Sequence, residues 1–299
     1  MSKPNLLLCF DAFGTLFKPK RPISLQYSEV ARQCGISGFS DDELQLALGA
    51  AIKYETKRHP NYGKSTGLGA AKWWTNVIHK TFTPLINSDE VLPIDLAPKL
   101  LHRFSSNEGY DAEPNLASAL RALKHQNSRR HYNNIVIGVI TNSDDRVPSI
   151  LSSLGISISP LRYGTEEYPS TLAEQDYDID FHCMSYDVGV EKPDKFIFDA
   201  AQLMLTRVIA IRDGKSVTEA KSNIETWQKL YVGDEYAKDV IGARNAGWNP
   251  VLLDADECST STLRLEDYAT QTLEDVFKEH DVLRVHSIQN LAMWLTGRK

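Results

Sequence analysis

Long apolar runs, dense positive charge and paired cysteines are all missing from this 299-residue sequence, and each absence removes a class of function. No run approaches the eighteen or so consecutive apolar residues that span a bilayer, so no membrane association is expected. The opening MSKPNLLLCF holds one lysine and a short apolar stretch, too little for a cleavable signal, and cutting there would remove what reads as the first strand. Lys and Arg together number 33 against 39 Asp and Glu, a formal charge of −6, and the basic residues are scattered. A surface of that sign repels a phosphate backbone, which argues against a nucleic-acid partner. Four cysteines, Cys9, Cys34, Cys183 and Cys258, lie far apart with no CxxC pair. That argues against zinc ligation and a disulfide framework and fits a reducing compartment, cytoplasm or nucleus, with a mitochondrial location also compatible.

What is present is an ordinary globular composition, 42% hydrophobic and 24% charged, in a chain long enough for one large α/β unit or a core with an inserted domain. Short apolar runs bounded by turn signals recur at LLLCF, NIVIGVIT, DFHCMSYDV, KLYVGD and PVLLDAD. Continuous apolar strands alternating with helical patterns predict a doubly wound, Rossmann-like α/β core built on a parallel sheet covered on both faces. Between the first two strands, residues 18–113 read as helical: Ser24 to Cys34, closed by Gly35; Ser40 to about Lys57; about Leu68 to Phe82; and Leu96 to Phe104. The second of these opens on a capping box, Ser40-Asp41-Asp42-Glu43. An inserted helical cap over 18–113 is therefore expected, with residues 1–17 and 114–299 forming the core. The acidic, weakly periodic stretches 157–180, 207–227 and 254–281 read as solvated surface insertions.

Ligands of parallel α/β sheets bind at the carboxyl ends of the strands, and here each such end carries a distinctive polar group. Asp11 follows the first strand, Thr141-Asn142-Ser143 the second, Lys192 in GVEKPDKF the third, and Asp234 with Asp239 in YVGDEYAKD the fourth. Singly, each has an everyday explanation as a turn residue, an N-cap or a solvated lysine beside a proline. Their order, and their position directly after strands, is what points to a site.

In order and context, FDAFGTLF, VITNS, VEKPD and VGDEYAKD resemble the four motifs of the haloacid dehalogenase-like hydrolase superfamily, and the likeness spans nearly the whole chain. The helical stretch HPNYGKSTGLGAAKWWTNVIHKTF resembles the narrower subfamily of haloacid dehalogenase-like hydrolase domain-containing protein 3. The resemblance implies a Rossmann-like core with a first-type (C1) helical cap. It also implies a phosphatase acting on a small phosphorylated metabolite with Mg²⁺ as cofactor. Asp11 would be the nucleophile that forms an aspartyl-phosphate. The Asp11 carboxylate, the main-chain carbonyl of Phe13, Asp234 and Asp239 would hold Mg²⁺, a hard cation that takes oxygen ligands. Thr141, Asn142 and Lys192 would contact the phosphoryl group, where positioning and electrostatics dominate transfer. His59 and Lys64, flanking an NYG turn in the cap, are further candidates for substrate contact.

One residue departs from the pattern. Superfamily phosphatases normally carry a second aspartate two positions after the nucleophile, as general acid and base, and this chain has Phe13 there. Loss of that help costs about 10²- to 10⁴-fold. The departure leaves two other readings open: a weak or inactive binding or regulatory protein, and a 2-haloacid dehalogenase, since dehalogenases of the superfamily also carry an aromatic residue at this position.

Overall fold

A computed structural model describes residues 3–124, 131–165, 175–258 and 261–297. Among the described residues eight strands occur in chain order: β1 (Leu6–Phe10), β2 (Phe17–Pro19), β3 (Tyr110–Ala112), β4 (Ile135–Thr141), β5 (Phe181–Met184), β6 (Gln228–Gly233), β7 (Asn249–Leu253) and β8 (Leu283–Val285). Six of them form one sheet in the order β5-β4-β1-β6-β7-β8, every pairing parallel. β1 and β4 are buried at every position, as a sheet covered on both faces requires. The order reverses at β1, which has β4 on one side and β6 on the other. This is the kind of switch point at which α/β sheets bind ligands, and Asp11 lies immediately beyond it.

Contacts divide the chain into two compact units. One comprises Met1–Lys18, Ala112–Ser143 and Gly155–Lys299; the other comprises Pro19–Asp111 and Asp144–Leu154. The first is the Rossmann-like α/β unit. Its helix Leu116–Lys124 buries Leu116, Leu120 and Leu123 along one face. The second unit is helical. Asp41–Arg58 opens on the anticipated capping box, in which Ser40 Oγ accepts from the Glu43 N–H while the Glu43 carboxylate accepts from the Ser40 N–H. That helix packs on Ala70–Phe82, and the buried Glu55 bonds Lys80 at 2.9 Å across the pair.

Three sequence expectations are corrected. Residues 207–227 are not a solvated loop. The helix Phe196–Asp213 runs through Val208, Ile209 and Ala210, and a second helix, Val217–Asn223, leads to buried Ile224 and Trp227. Apolar side chains at helical spacing outweighed the local acidity. Likewise residues 254–281 bury Leu265, Leu273 and Val276 in a 3₁₀ turn and the helix Leu273–Glu279. Of the third stretch, 157–180, residues 166–174 lie outside the described residues. The strand read over 180–188 ends at Met184, after which Ser185–Val188 makes one helical turn. Among the described residues, no helix is long and apolar enough to cross a membrane.

Candidate active site

The strand ends of the α/β unit gather the polar groups. The Asp11 N–H donates to the Val232 carbonyl of β6 at 2.9 Å, so the β1–β6 pairing continues through the residue that follows the strand. Thr141 is the last residue of β4 and is buried. Asp234 follows the last residue of β6, and Asp239 comes from a π-helical turn, Tyr236–Val240, whose extra residue per turn brings its carboxylate back toward the strand end. Oxygens from Asp11, Asp234 and Asp239 all lie within 4.8 Å of one another.

One cation stands among these acids. Lys192 is 4% exposed, and its Nζ lies 2.7 Å from Asp11 Oδ1 and 2.7 Å from Asp239 Oδ1. Among the described residues three carboxylates thus gather at a single ammonium, and the imbalance shows in the titration of Asp234 and Asp239. Crowding by surrounding protein, together with the neighbouring Asp11 carboxylate, pushes Asp234 up to about 6. Burial also raises Asp239, although Lys192 opposes it. For Lys192 itself burial disfavours the charge, but Asp11 and Asp239 outweigh it and hold the amine above its ordinary value. A site with this much surplus negative charge, built from hard oxygen donors, suits a divalent cation.

Two glycines permit the crowding. Gly14 has φ +80°, and a Cβ there would fall 2.2 Å from Asp234 Oδ2. At Gly233 a Cβ would fall 2.2 Å from Asp239 Oδ2, which instead accepts the Glu235 N–H at 2.9 Å. Thr15 Oγ donates to Asp234 Oδ1 at 3.1 Å and ties the turn after Asp11 to the turn after β6. Within the first of these turns Phe13 is half-buried, its ring edge-on to Phe17 at 4.7 Å. An apolar contact therefore occupies the place where a second acid would stand.

The remaining candidates separate. Asn142 spends its side chain on the main chain of Lys192, accepting its N–H at 2.7 Å and donating to its carbonyl at 3.0 Å. It acts on the lysine loop, and its own N–H is what it can offer to an anion. His59 and Lys64 belong to the helical unit and not to the unit that carries the carboxylates. Of the adjacent tryptophans, Trp73 is buried and donates to the His59 carbonyl at 3.2 Å, while Trp74 is half-buried and donates to Asp144 at 2.7 Å. Sequence reading passed over Tyr231, whose hydroxyl lies 2.9 Å from Lys192 Nζ. Its signal was a phenol in the middle of KLYVGD, an otherwise apolar strand end where a buried hydroxyl requires a partner.

The HAD-hydrolase-like family model matches residues 190–278, the span that holds Lys192, Tyr231, Asp234 and Asp239. An uncharacterized hydrolase of Schizosaccharomyces pombe is 33% identical over 249 residues, covering 83% of this chain and 90% of that protein. Haloacid dehalogenase-like hydrolase domain-containing protein 3 of Mus musculus is 27% identical over 258 residues, 86% of this chain and 85% of the mouse protein. Among solved structures, a 2-haloacid dehalogenase from Pseudomonas syringae pv. Tomato DC3000 has a TM-score of 0.53 at 18% identity, covering 99% of this chain and 98% of its own. That last likeness is one of fold.

Proposed function

Since this chain belongs to the haloacid dehalogenase-like hydrolase superfamily, in the subfamily of haloacid dehalogenase-like hydrolase domain-containing protein 3, we propose that it is a Mg²⁺-dependent phosphohydrolase acting on a small phosphorylated metabolite. The observation that carries this reading is the excess of carboxylate over ammonium around Asp11. Asp11, Asp234 and the Phe13 carbonyl would hold the ion. Asp239, whose two oxygens are committed to Lys192 and to the Glu235 N–H, would act on it through water. Bound Mg²⁺ would supply charge neutralisation for the phosphoryl oxygens.

The chain's own residues would do the rest. Asp11 attacks phosphorus, forming the carboxylate-to-phosphorus bond as the bond to the leaving oxygen breaks. The Thr141 hydroxyl and the Asn142 N–H hold phosphoryl oxygens, and Lys192 keeps Asp11 oriented and compensates its charge. Water then cleaves the aspartyl-phosphate to return Asp11 and release phosphate. Because Phe13 cannot protonate a departing alkoxide, the favoured substrates are acyl or aryl phosphates, whose leaving groups depart without a proton.

Steady-state hydrolysis of para-nitrophenyl phosphate tests the reading. Turnover should require Mg²⁺ and fall to background in Asp11→Asn; equal rates for the two proteins would overturn it. Phe13 supports a second reading, carbon–halogen cleavage, because a dehalogenase needs no acid there. Chloride release from a 2-haloacid in the presence of a chelator would favour that chemistry, whereas the carboxylate excess speaks for the metal-dependent one. A weak or inactive binding protein is the third reading. Beryllium fluoride with Mg²⁺ separates it, since a competent site gains thermal stability through ligand linkage and a dead scaffold does not.

A further inference from the structure

Lys192 is almost wholly buried, and a buried ammonium must satisfy three N–H donors. Asp239 Oδ1 accepts one of them at 2.7 Å, while Asp11 Oδ1, also 2.7 Å away, is held by charge and accepts no hydrogen bond among the described residues. A second goes to the hydroxyl of Tyr231 at 2.9 Å. That hydroxyl is itself oriented, because it donates to the Ile140 carbonyl at 2.8 Å, one residue before Thr141. Tyr231 lies on β6 and Ile140 on β4, with β1 between them, so the phenol reaches past the strand that presents Asp11. Its ring is fixed by Phe198, edge-on at 5.1 Å, and it has no exposed surface.

We infer that Tyr231 is a positioning residue, which orients the Lys192 ammonium so that it bridges Asp11 and Asp239. A lysine side chain has four rotatable bonds, and two carboxylates alone leave its ammonium free to rock between them. The phenol supplies the third fixed point, while Asn142 holds the main chain of the same residue. With two donors committed to Asp239 and Tyr231, the ammonium is held against Asp11 by charge and sets its aim. The kinetic part of this inference rests on the proposed phosphohydrolase reading; the geometric part does not.

Tyr231→Phe deletes one oxygen and keeps the ring. In its crystal structure the Lys192 amine should have left the Asp11–Asp239 bridge, and kcat for para-nitrophenyl phosphate with Mg²⁺ should drop about tenfold at unchanged KM, the signature of a contact that matters in the transition state. Leu120→Ala, on the helix Leu116–Lys124, is the control: it opens a cavity in the core and lowers Tm but should leave kcat unaltered. An amine still bridging both carboxylates in Tyr231→Phe, or a kcat equal to that of the parent, overturns the inference. If the parent protein shows no turnover, the phosphohydrolase reading fails by itself, and the lysine geometry in the variant still decides the role of Tyr231.

Discussion

Two buried aspartates in this molecule have opposite surroundings. Asp144, in the helical unit, has no exposed surface and accepts from Arg146 Nε at 2.8 Å, a second Arg146 nitrogen at 2.9 Å, the Arg146 N–H at 3.1 Å and Trp74 Nε1 at 2.7 Å. The Arg146 guanidinium also stacks 4.4 Å from the Trp74 ring centre. Burial works against the charge of Asp144, but the arginine and these hydrogen bonds outweigh it, so the carboxyl sits below its ordinary value. Asp11 shares one ammonium with Asp239 and has Asp234 close by, and Asp234 is driven upward. Burial is common to both pairs; what distinguishes the candidate site is charge left uncompensated. A closed pair is structural, whereas an open cluster is poised to take up a cation.

The sharpest way to break this comparison is to remove the cation from each cluster. Lys192→Met and Arg146→Met should each cost about 3–5 kcal/mol, the usual penalty for stranding a buried charge. Mg²⁺ should restore much of the Tm lost in Lys192→Met and none of that lost in Arg146→Met. Equal recovery, or none in either, would mean the two clusters do not differ as described.

A smaller effect tests whether close approach is what builds the cluster. Gly14→Ala and Gly35→Ala both force a side chain onto a left-handed backbone, at φ +80° and +87°, costing about 1–3 kcal/mol. Only at Gly14 does the new Cβ also meet Asp234; at Gly35 nothing lies within 4 Å. Thermal stabilisation by Mg²⁺ should vanish in Gly14→Ala and persist in Gly35→Ala.

Trp74→Phe removes one of the donors to Asp144 and should cost about 1.5 kcal/mol in urea denaturation, typical of a hydrogen bond to a charged group. The smallest effect concerns pH. Asp234 has an ordinary value of 3.8 and is pushed up to about 6 in the folded chain. Between those values the folded state holds a proton that the unfolded state has released, so this group's contribution favours folding at acid pH and is lost as pH rises through about 6. In EDTA, Asp234→Asn should therefore be more stable than its parent at pH 7, with the advantage shrinking toward pH 4.5. Asp144 runs the other way: its contribution is present at neutral pH and is lost only as pH falls below the ordinary carboxylate range.

Much of the architecture was legible in the chain. Five of the six strands of the main sheet announced themselves as apolar runs, since a strand buried on both faces has no polar alternation to hide it. β8, only three residues long, gave no such run, and the helices at 217–223 and 273–279, seven residues each, are too short to display a helical period. The capping box at Ser40 was readable because its contacts span only three residues.

By itself, then, the sequence determined the class of fold, the strand after which each polar group would fall, and the replacement of an acid by Phe13. Those properties follow from local pattern and from chain order. Only the tertiary structure decided that Lys192 stands between Asp11 and Asp239, that Asn142 serves the lysine loop, and that Tyr231 reaches from β6 to β4 past the strand of Asp11. The Asn142–Lys192 and Tyr231–Ile140 bonds alone join residues 50 and 91 positions apart in the chain, and no spacing rule reaches that far. They exist because strand pairing brings distant chain segments to one sheet edge, and because buried charges must find partners wherever the fold has put them.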